Sequence, residues 1–280
     1  MLVHTSIEAV RAQVKQWHQQ GLTVGLVPTM GYLHEGHASL VRAARSSCDR
    51  VVVSVFVNPT QFGPTEDLES YPRDFEHDCA LLEQNGVDLV FHPEPEEMYA
   101  PDFCTWVDMD QLTKGLCGKT RPIHFRGVCT VVSKLLHIVS PQKAFFGQKD
   151  AQQLAVIRRM VRDLNIDVEI VGCPIVRESD GLAKSSRNTY LSESERRAAL
   201  VLSQAVTLGE KLVAEGECSA SKVVDAMHQL IEREPIARID YVEAVDALSM
   251  QPVEMVRPGV LFAMAVYIGN TRLIDNFITQ

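Results

Sequence analysis

Two histidines three positions apart, His34 and His37, flank Gly36 where an apolar run gives way to a helical pattern. Thr23 to Val27 is β-rich and apolar, as expected of a strand buried on both faces. Pro28 to Gly31 is expected to break that strand. Ala38, Leu40, Val41 and Ala44 then recur at helical spacing. A strand-to-helix turn of this kind suits phosphate, because free main-chain N–H groups and the positive end of the helix dipole face the same way. Residues three apart share a helical face, so both imidazoles can reach one anion. Gly36 removes a side chain where a ligand would approach the backbone. Two plainer readings stand beside this one. The pair can be polar residues of a solvated loop, or zinc ligands, although helical metal pairs usually stand four apart with further ligands.

Three more stretches carry groups that could do chemistry. Asn58 and Gln61 follow the valine-rich run 51–57, at the carboxyl end of a strand, where open α/β sheets gather ligands. Asn-Pro is also an ordinary turn initiator. Lys119, Arg121, His124 and Arg126 cluster in one loop, which fits a solvated segment or an anionic ligand. Gly147, Gln148, Lys149 and Asp150 form a second strand-Gly-helix turn, with Lys149 placed to meet phosphate as a point charge. Asp150 and Gln153 also read as a helix-capping pair. Residues 181–188, Gly-Leu-Ala-Lys-Ser-Ser-Arg-Asn, make a small, polar, cation-bearing loop.

The elements that must position these groups alternate in the manner of an α/β protein. A first helix is expected over 7–18, a helix capped by Asp74 over 75–84, and a strand over 87–91. An acidic connection begins at His92 and reads as a solvated loop. A helix over 128–139, a strand over 144–146, a helix through Leu154, Ile157, Val161 and Leu164, and a strand over 166–171 follow. Beyond Pro174 the character changes. Ser192 and Glu195 form a capping box opening a long helix to about Ala214, and a second helix runs near 221–232. Strands at 239–245, 259–267 and 273–278 suggest a small sheet. The expected division is therefore 1–175 and 176–280, with the Ser-Ser-Arg loop beside the boundary, where ligands often bind.

The net charge of −9, from 36 acidic against 27 basic residues, argues against non-specific nucleic-acid binding, which needs a basic footprint. No apolar stretch approaches a membrane span, and no signal peptide opens the chain. Seven cysteines without a C-x-x-C pair read as reduced thiols, so a cytoplasmic protein is expected.

The string Pro-Thr-Met-Gly-Tyr-Leu-His-Glu-Gly-His resembles the His-x-Gly-His motif of the nucleotidyltransferases, adenylate-forming relatives of class I aminoacyl-tRNA synthetases. Asn-Pro-Thr-Gln-Phe-Gly-Pro, Tyr71-Pro72-Arg73, His124-Phe-Arg-Gly-Val, Phe146-Gly-Gln-Lys-Asp and Ser-Ser-Arg-Asn follow in order. Together they resemble the pantothenate synthetase (pantoate–β-alanine ligase) family over essentially the whole chain. The resemblance implies a Rossmann-like, parallel-sheet N-terminal domain, a smaller α+β C-terminal lid domain that closes over ATP, and a homodimer. It implies that pantoate attacks the α-phosphorus of Mg-ATP, and that β-alanine then displaces AMP from pantoyl adenylate. Carried over residue by residue, it makes His37, His34 and Lys149 catalytic. The ATP site would comprise Met30, Gly31, Tyr32, Leu33, His34, Glu35, Gly36, His37, Gly147, Gln148, Lys149, Asp150, Val176, Lys184, Ser185, Ser186 and Arg187. Gln61 and Gln153 would bind pantoate, with Gln61 also near β-alanine. Mg2+ would ride on the phosphates, with no protein metal site. The chain departs from the family pattern at Lys184, where methionine is usual, and at Ala151, where an aromatic residue is usual.

Overall fold

Six short runs of β-branched and apolar residues assemble into one parallel sheet. A computed structural model describes residues 1–64 and 66–280. The strands are β1 (Leu2–His4), β2 (Val24–Thr29), β3 (Arg50–Val55), β4 (Leu89–Phe91), β5 (Lys143–Gly147) and β6 (Glu169–Cys173), in the order β1-β4-β3-β2-β5-β6. Every pairing is parallel. Val51, Val52 and Val53 of β3 are fully buried, as a strand covered on both faces requires. The chain steps outward from β2 through β3 to β4, then returns to the other side of β2 with β5. That reversal makes the carboxyl ends of β2 and β5 the switch point, where such sheets bind ligands. His34 follows β2, and Gln148 follows β5.

Pro28 does not break β2 as expected. It pairs with Ser54 inside the strand, while the pairing of β2 with β5 ends at Leu26. On that side no ladder partner needs the N–H that proline lacks. The expected first helix is present as Ile7–Gln19, and Asp74 caps Phe75–Gln84 through a 3.0 Å bond from the His77 N–H. The helix expected from residue 128 begins earlier, at His124, and ends at Val139. The acidic connection after His92 includes a single helical turn, Pro95–Met98.

The chain forms two compact units. The first comprises 1–109, 121–148 and 156–174; the second comprises 110–120, 149–155 and 175–280. A division at 175/176 therefore differs from these units by two internal segments. In the second unit Gln152 explains why 110–120 packs with 149–155. Its amide donates to the carbonyls of Leu112 and Gly115, both at 2.9 Å, and accepts the Cys117 N–H at 2.9 Å.

Three antiparallel strands, β7 (Ala237–Asp246), β8 (Val260–Ile268) and β9 (Thr271–Ile278), carry the rest of the second unit. Helices Leu200–Ala214 and Ala220–Ile231 share their core, where Phe262 and Phe277 stack with centroids 4.9 Å apart. The Ser192–Glu195 capping box forms. The long helix it opens is divided at Ala199 into Glu193–Ala198 and Leu200–Ala214. Among the described residues, no helix is long and apolar enough to cross a membrane.

Candidate active site

In the first unit, β2 delivers the chain into a turn that ends in the helix Glu35–Ser47. His34 is the extended N-cap of that helix. Its Nδ1 accepts the Gly36 N–H at 3.1 Å, and the His34 N–H donates to Nδ1 of His37 at 3.2 Å. This is a capping box built from two imidazoles. It corrects the expectation of free main-chain N–H groups, because those of His34, Gly36 and His37 are all engaged. The chemistry moves to the rings instead. With Nδ1 accepting in both, each neutral ring carries its proton on Nε2. The ring centroids lie 4.1 Å apart with the planes tilted by 39°, so the two imidazoles sit side by side. Such a pair can offer hydrogen bonds to phosphoryl oxygens.

The turn before His34 is fixed from a distance. Asp78, 1% exposed, accepts the Tyr32 N–H at 2.8 Å and the Leu33 N–H at 2.6 Å. Burial pushes its carboxyl above the ordinary aspartate range, against the downward pull of those two bonds. Thr29 accepts the Gly31 N–H and donates to the Ser54 carbonyl at 2.7 Å. Met30 is half-buried, and its Sδ faces Nε2 of Gln61 at 2.9 Å.

Gln61 closes a 3-10 turn, Pro59–Gln61, beyond β3. Its Oε1 accepts from Asn58 Nδ2 at 3.2 Å. Asn58 is itself held by the Tyr99 hydroxyl at 2.8 Å. Two of the four clustered cationic residues hold this turn by its backbone. His124 Nδ1 donates to the Gln61 carbonyl at 3.0 Å, and Arg121 reaches the same oxygen at 3.4 Å. Arg121 also forks onto Glu66 at 2.6 and 2.7 Å. Burial alone would raise the Glu66 carboxyl, but the Arg121 bonds and charge outweigh it and hold the group low. Arg126 lies 4.7 Å over the Trp106 ring, and Lys119 belongs to the second unit. Within the first unit, Arg121 and His124 thus serve the Gln61 turn while Arg126 stacks on Trp106.

The chain leaves β5 through a 3-10 turn, Gln148–Asp150, that runs directly into the helix Ala151–Asp163. Asp150 therefore lies within helical backbone, not at an N-cap. In the second unit, Asn276 of β9 donates to the Lys149 carbonyl at 2.9 Å, and the Lys149 ammonium is 4.0 Å from Asp150. Gln153 is half-buried two residues past Ala151. The Lys184 N–H donates to the Val176 carbonyl at 2.9 Å, closing a tight return through Gly181. Ser185 caps the 3-10 turn Ser186–Tyr190 by accepting the Arg187 N–H. Asn188 ties this segment to Glu178 at 2.9 Å, and Arg196 bridges Glu178 and Asp180 at 3.0 and 2.7 Å. The structure thus gathers Met30, Gly31, Tyr32, Leu33, His34, Gly36, His37 and Gln61 in the first unit. Lys149, Gln153, Val176 and the 184–187 loop belong to the second.

The pantoate-beta-alanine ligase family model matches residues 2–278. The chain belongs to that family. It is 61% identical over 272 residues to the pantothenate synthetase of Ruminiclostridium cellulolyticum, covering 97% of this chain and 96% of that one. It is 57% identical to the Enterococcus faecalis pantothenate synthetase, over 99% and 98% of the two chains. The crystal structure of pantothenate synthetase from Thermus thermophilus superposes with a TM-score of 0.95 at 46% identity, over 99% of each chain. A pantoate-beta-alanine ligase from Francisella tularensis, complexed with beta-gamma ATP and beta-alanine, gives 0.81 at 31% identity, over 99% and 97%.

Within this ligase, Asp78 is a position that the motifs did not single out. Asp78 did carry a signal. It lies on the same helical face as Phe75 and Leu82, and a carboxylate on an apolar face needs a hydrogen-bonding partner. Gly127 lies inside the His124-Phe-Arg-Gly-Val motif, but its contact with the Thr60–Gln61 backbone was not legible there, because those residues lie far away in sequence.

Proposed function

We infer that this ligase condenses pantoate with β-alanine at the expense of ATP, through pantoyl adenylate, releasing pyrophosphate and AMP. The observation that carries the reading is the pairing of the His34 and His37 rings, each capping the turn through Nδ1, at the carboxyl end of β2. A pantoate carboxylate oxygen attacks the α-phosphorus of Mg-ATP, and charge develops on the phosphoryl oxygens. Donors already fixed in place stabilise that charge without reorganising. His37 is the principal catalytic donor, assisted by His34, while Lys149 and Arg187 balance phosphate charge. Met30 to His37, Gly147 to Asp150, Val176 and Lys184 to Arg187 line the ATP site. Gln61 and Gln153 hold pantoate, and Gln61 also meets β-alanine. Magnesium enters with the nucleotide as part of the substrate. The working protein is a cytoplasmic homodimer.

An assay of AMP and pyrophosphate release tests the reaction. With ATP and pantoate alone, one equivalent of pyrophosphate per site should appear and turnover should stop. Adding β-alanine should release AMP continuously. A stable nucleotide-linked product in its presence, with no free AMP, would point to a nucleotidyltransferase that stops after the first step, and AMP release that ignores β-alanine would show hydrolysis of the adenylate instead of amide formation.

Lys184 tests how the loop meets ATP. Its main-chain N–H closes the 176–184 return, which supports a backbone role and leaves the side chain free to vary. Arg187 and Lys149 already supply charge, so a third cation adds less. Lys184→Met should therefore shift the ATP KM by less than about threefold, under roughly 0.7 kcal/mol if KM tracks binding. Steady-state kinetics at saturating pantoate and β-alanine would measure it. A tenfold rise would mean that the ammonium does reach the phosphates.

A further inference from the structure

Tyr32 stands at a φ of 50°, directly after Gly31 at 81°, so two successive left-handed residues lead the chain from β2 toward His34. A tyrosine in that region is strained and persists only where its surroundings over-determine it. The carboxylate of Asp78 is what does so. It comes from the helix Phe75–Gln84, is almost fully buried, and gives one oxygen to each of two successive N–H groups, Tyr32 and Leu33. A Cβ on Gly31 would lie 3.0 Å from Asp78 Oδ2 and 3.1 Å from Val55 Cγ1, so carboxylate and turn are closely fitted. His34 follows at once, with its capping bonds to Gly36 and His37.

We propose that Asp78 is a positioning residue for adenylate formation, its carboxylate fixing the Tyr32–Leu33 turn and hence the placement of the His34 and His37 donors. The inference rests on the reading of that pair as the phosphate-binding donors. Asparagine keeps the shape of the side chain but replaces one acceptor oxygen with an NH2 that would face an N–H. One of the two bonds is then lost. The helix Phe75–Gln84 keeps its Asp74 cap, so the local scaffold remains.

The test is a split of the two half-reactions in Asp78→Asn. Single-turnover pyrophosphate release from ATP and pantoate should fall roughly tenfold, chiefly in kcat with the ATP KM within about threefold. Aminolysis of supplied pantoyl adenylate should stay within about twofold of wild type. A second variant, Gly31→Ala, retains the carboxylate but crowds it with a Cβ 3.0 Å from Oδ2, and should show the same split. It decides the matter if Asp78→Asn fails to fold by circular dichroism. Unchanged adenylate formation, or equal loss in both half-reactions, overturns the proposal. His37→Ala, run in parallel, separates the role of Asp78 from that of the histidines. If that variant keeps full adenylate formation, the phosphate reading of the histidines fails. If it is impaired while the Asp78 and Gly31 variants are not, only the role of Asp78 fails.

Discussion

Replacing His37 with alanine should slow pantoyl-adenylate formation by at least about a hundredfold, near 2.7 kcal/mol of transition-state stabilisation. The reason lies in what the ring does at each nitrogen. Nδ1 accepts the His34 N–H, so the proton of the neutral ring is on Nε2, the nitrogen proposed to donate to the phosphoryl oxygens. Alanine removes both. Asparagine separates them, since its Oδ1 can stand where Nδ1 stands and keep the cap. If donation from Nε2 carries the effect, His37→Asn should be nearly as slow as His37→Ala. Recovery in the asparagine variant would show that His37 acts mainly by capping the helix. Rapid-quench measurement of pyrophosphate gives the first step, and β-alanine added to supplied pantoyl adenylate gives the second. The second should suffer much less. Equal loss in both would indicate a role common to the two steps or a damaged fold.

The histidine turn was legible because its determinants are local. Strand, turn and helix signals all fall within one short stretch of chain, and the two imidazoles meet as their spacing suggests. Ser192 and Glu195 were legible for the same reason. What the sequence hid depends on partners distant along the chain. Asp78 reaches back 46 residues to Tyr32, and His124 reaches 63 residues to the Gln61 carbonyl. Nothing near Arg121 shows that Glu66 will pair with it, so its cluster reads equally as a solvated segment or a place for an anion. β1 escaped notice because three residues are too few to show a period, and its strand character comes from pairing with β4. The segments 110–120 and 149–155 join the second unit through Gln152 and Asn276, whose amides satisfy carbonyls that no pattern of hydropathy marks.

Gly127→Ala should damage both stability and the proposed pantoate contact, because it sits where a helix meets a turn backbone to backbone. A Cβ at this position would lie 2.5 Å from the Thr60 carbonyl oxygen and 2.6 Å from both N and Cα of Gln61. None of those atoms can swing aside as the end of a flexible side chain could. The helix cannot easily retreat either, since Asn58 Nδ2 holds the Gly127 carbonyl at 3.2 Å and His124 holds Gln61. Overpacking against main chain should cost about 3 kcal/mol of folding stability, the upper end for an added methyl group. What remains folded must displace the Gln61 turn, so the pantoate KM should rise roughly tenfold or more, about 1.4 kcal/mol if it tracks binding. The ATP KM should change by less than about threefold, because the histidine turn is braced separately by Asp78. Urea unfolding and steady-state kinetics measure the two effects independently. A stability loss with an unchanged pantoate KM would take Gln61 out of the pantoate site, and a matching rise in the ATP KM would show that the two turns move as one.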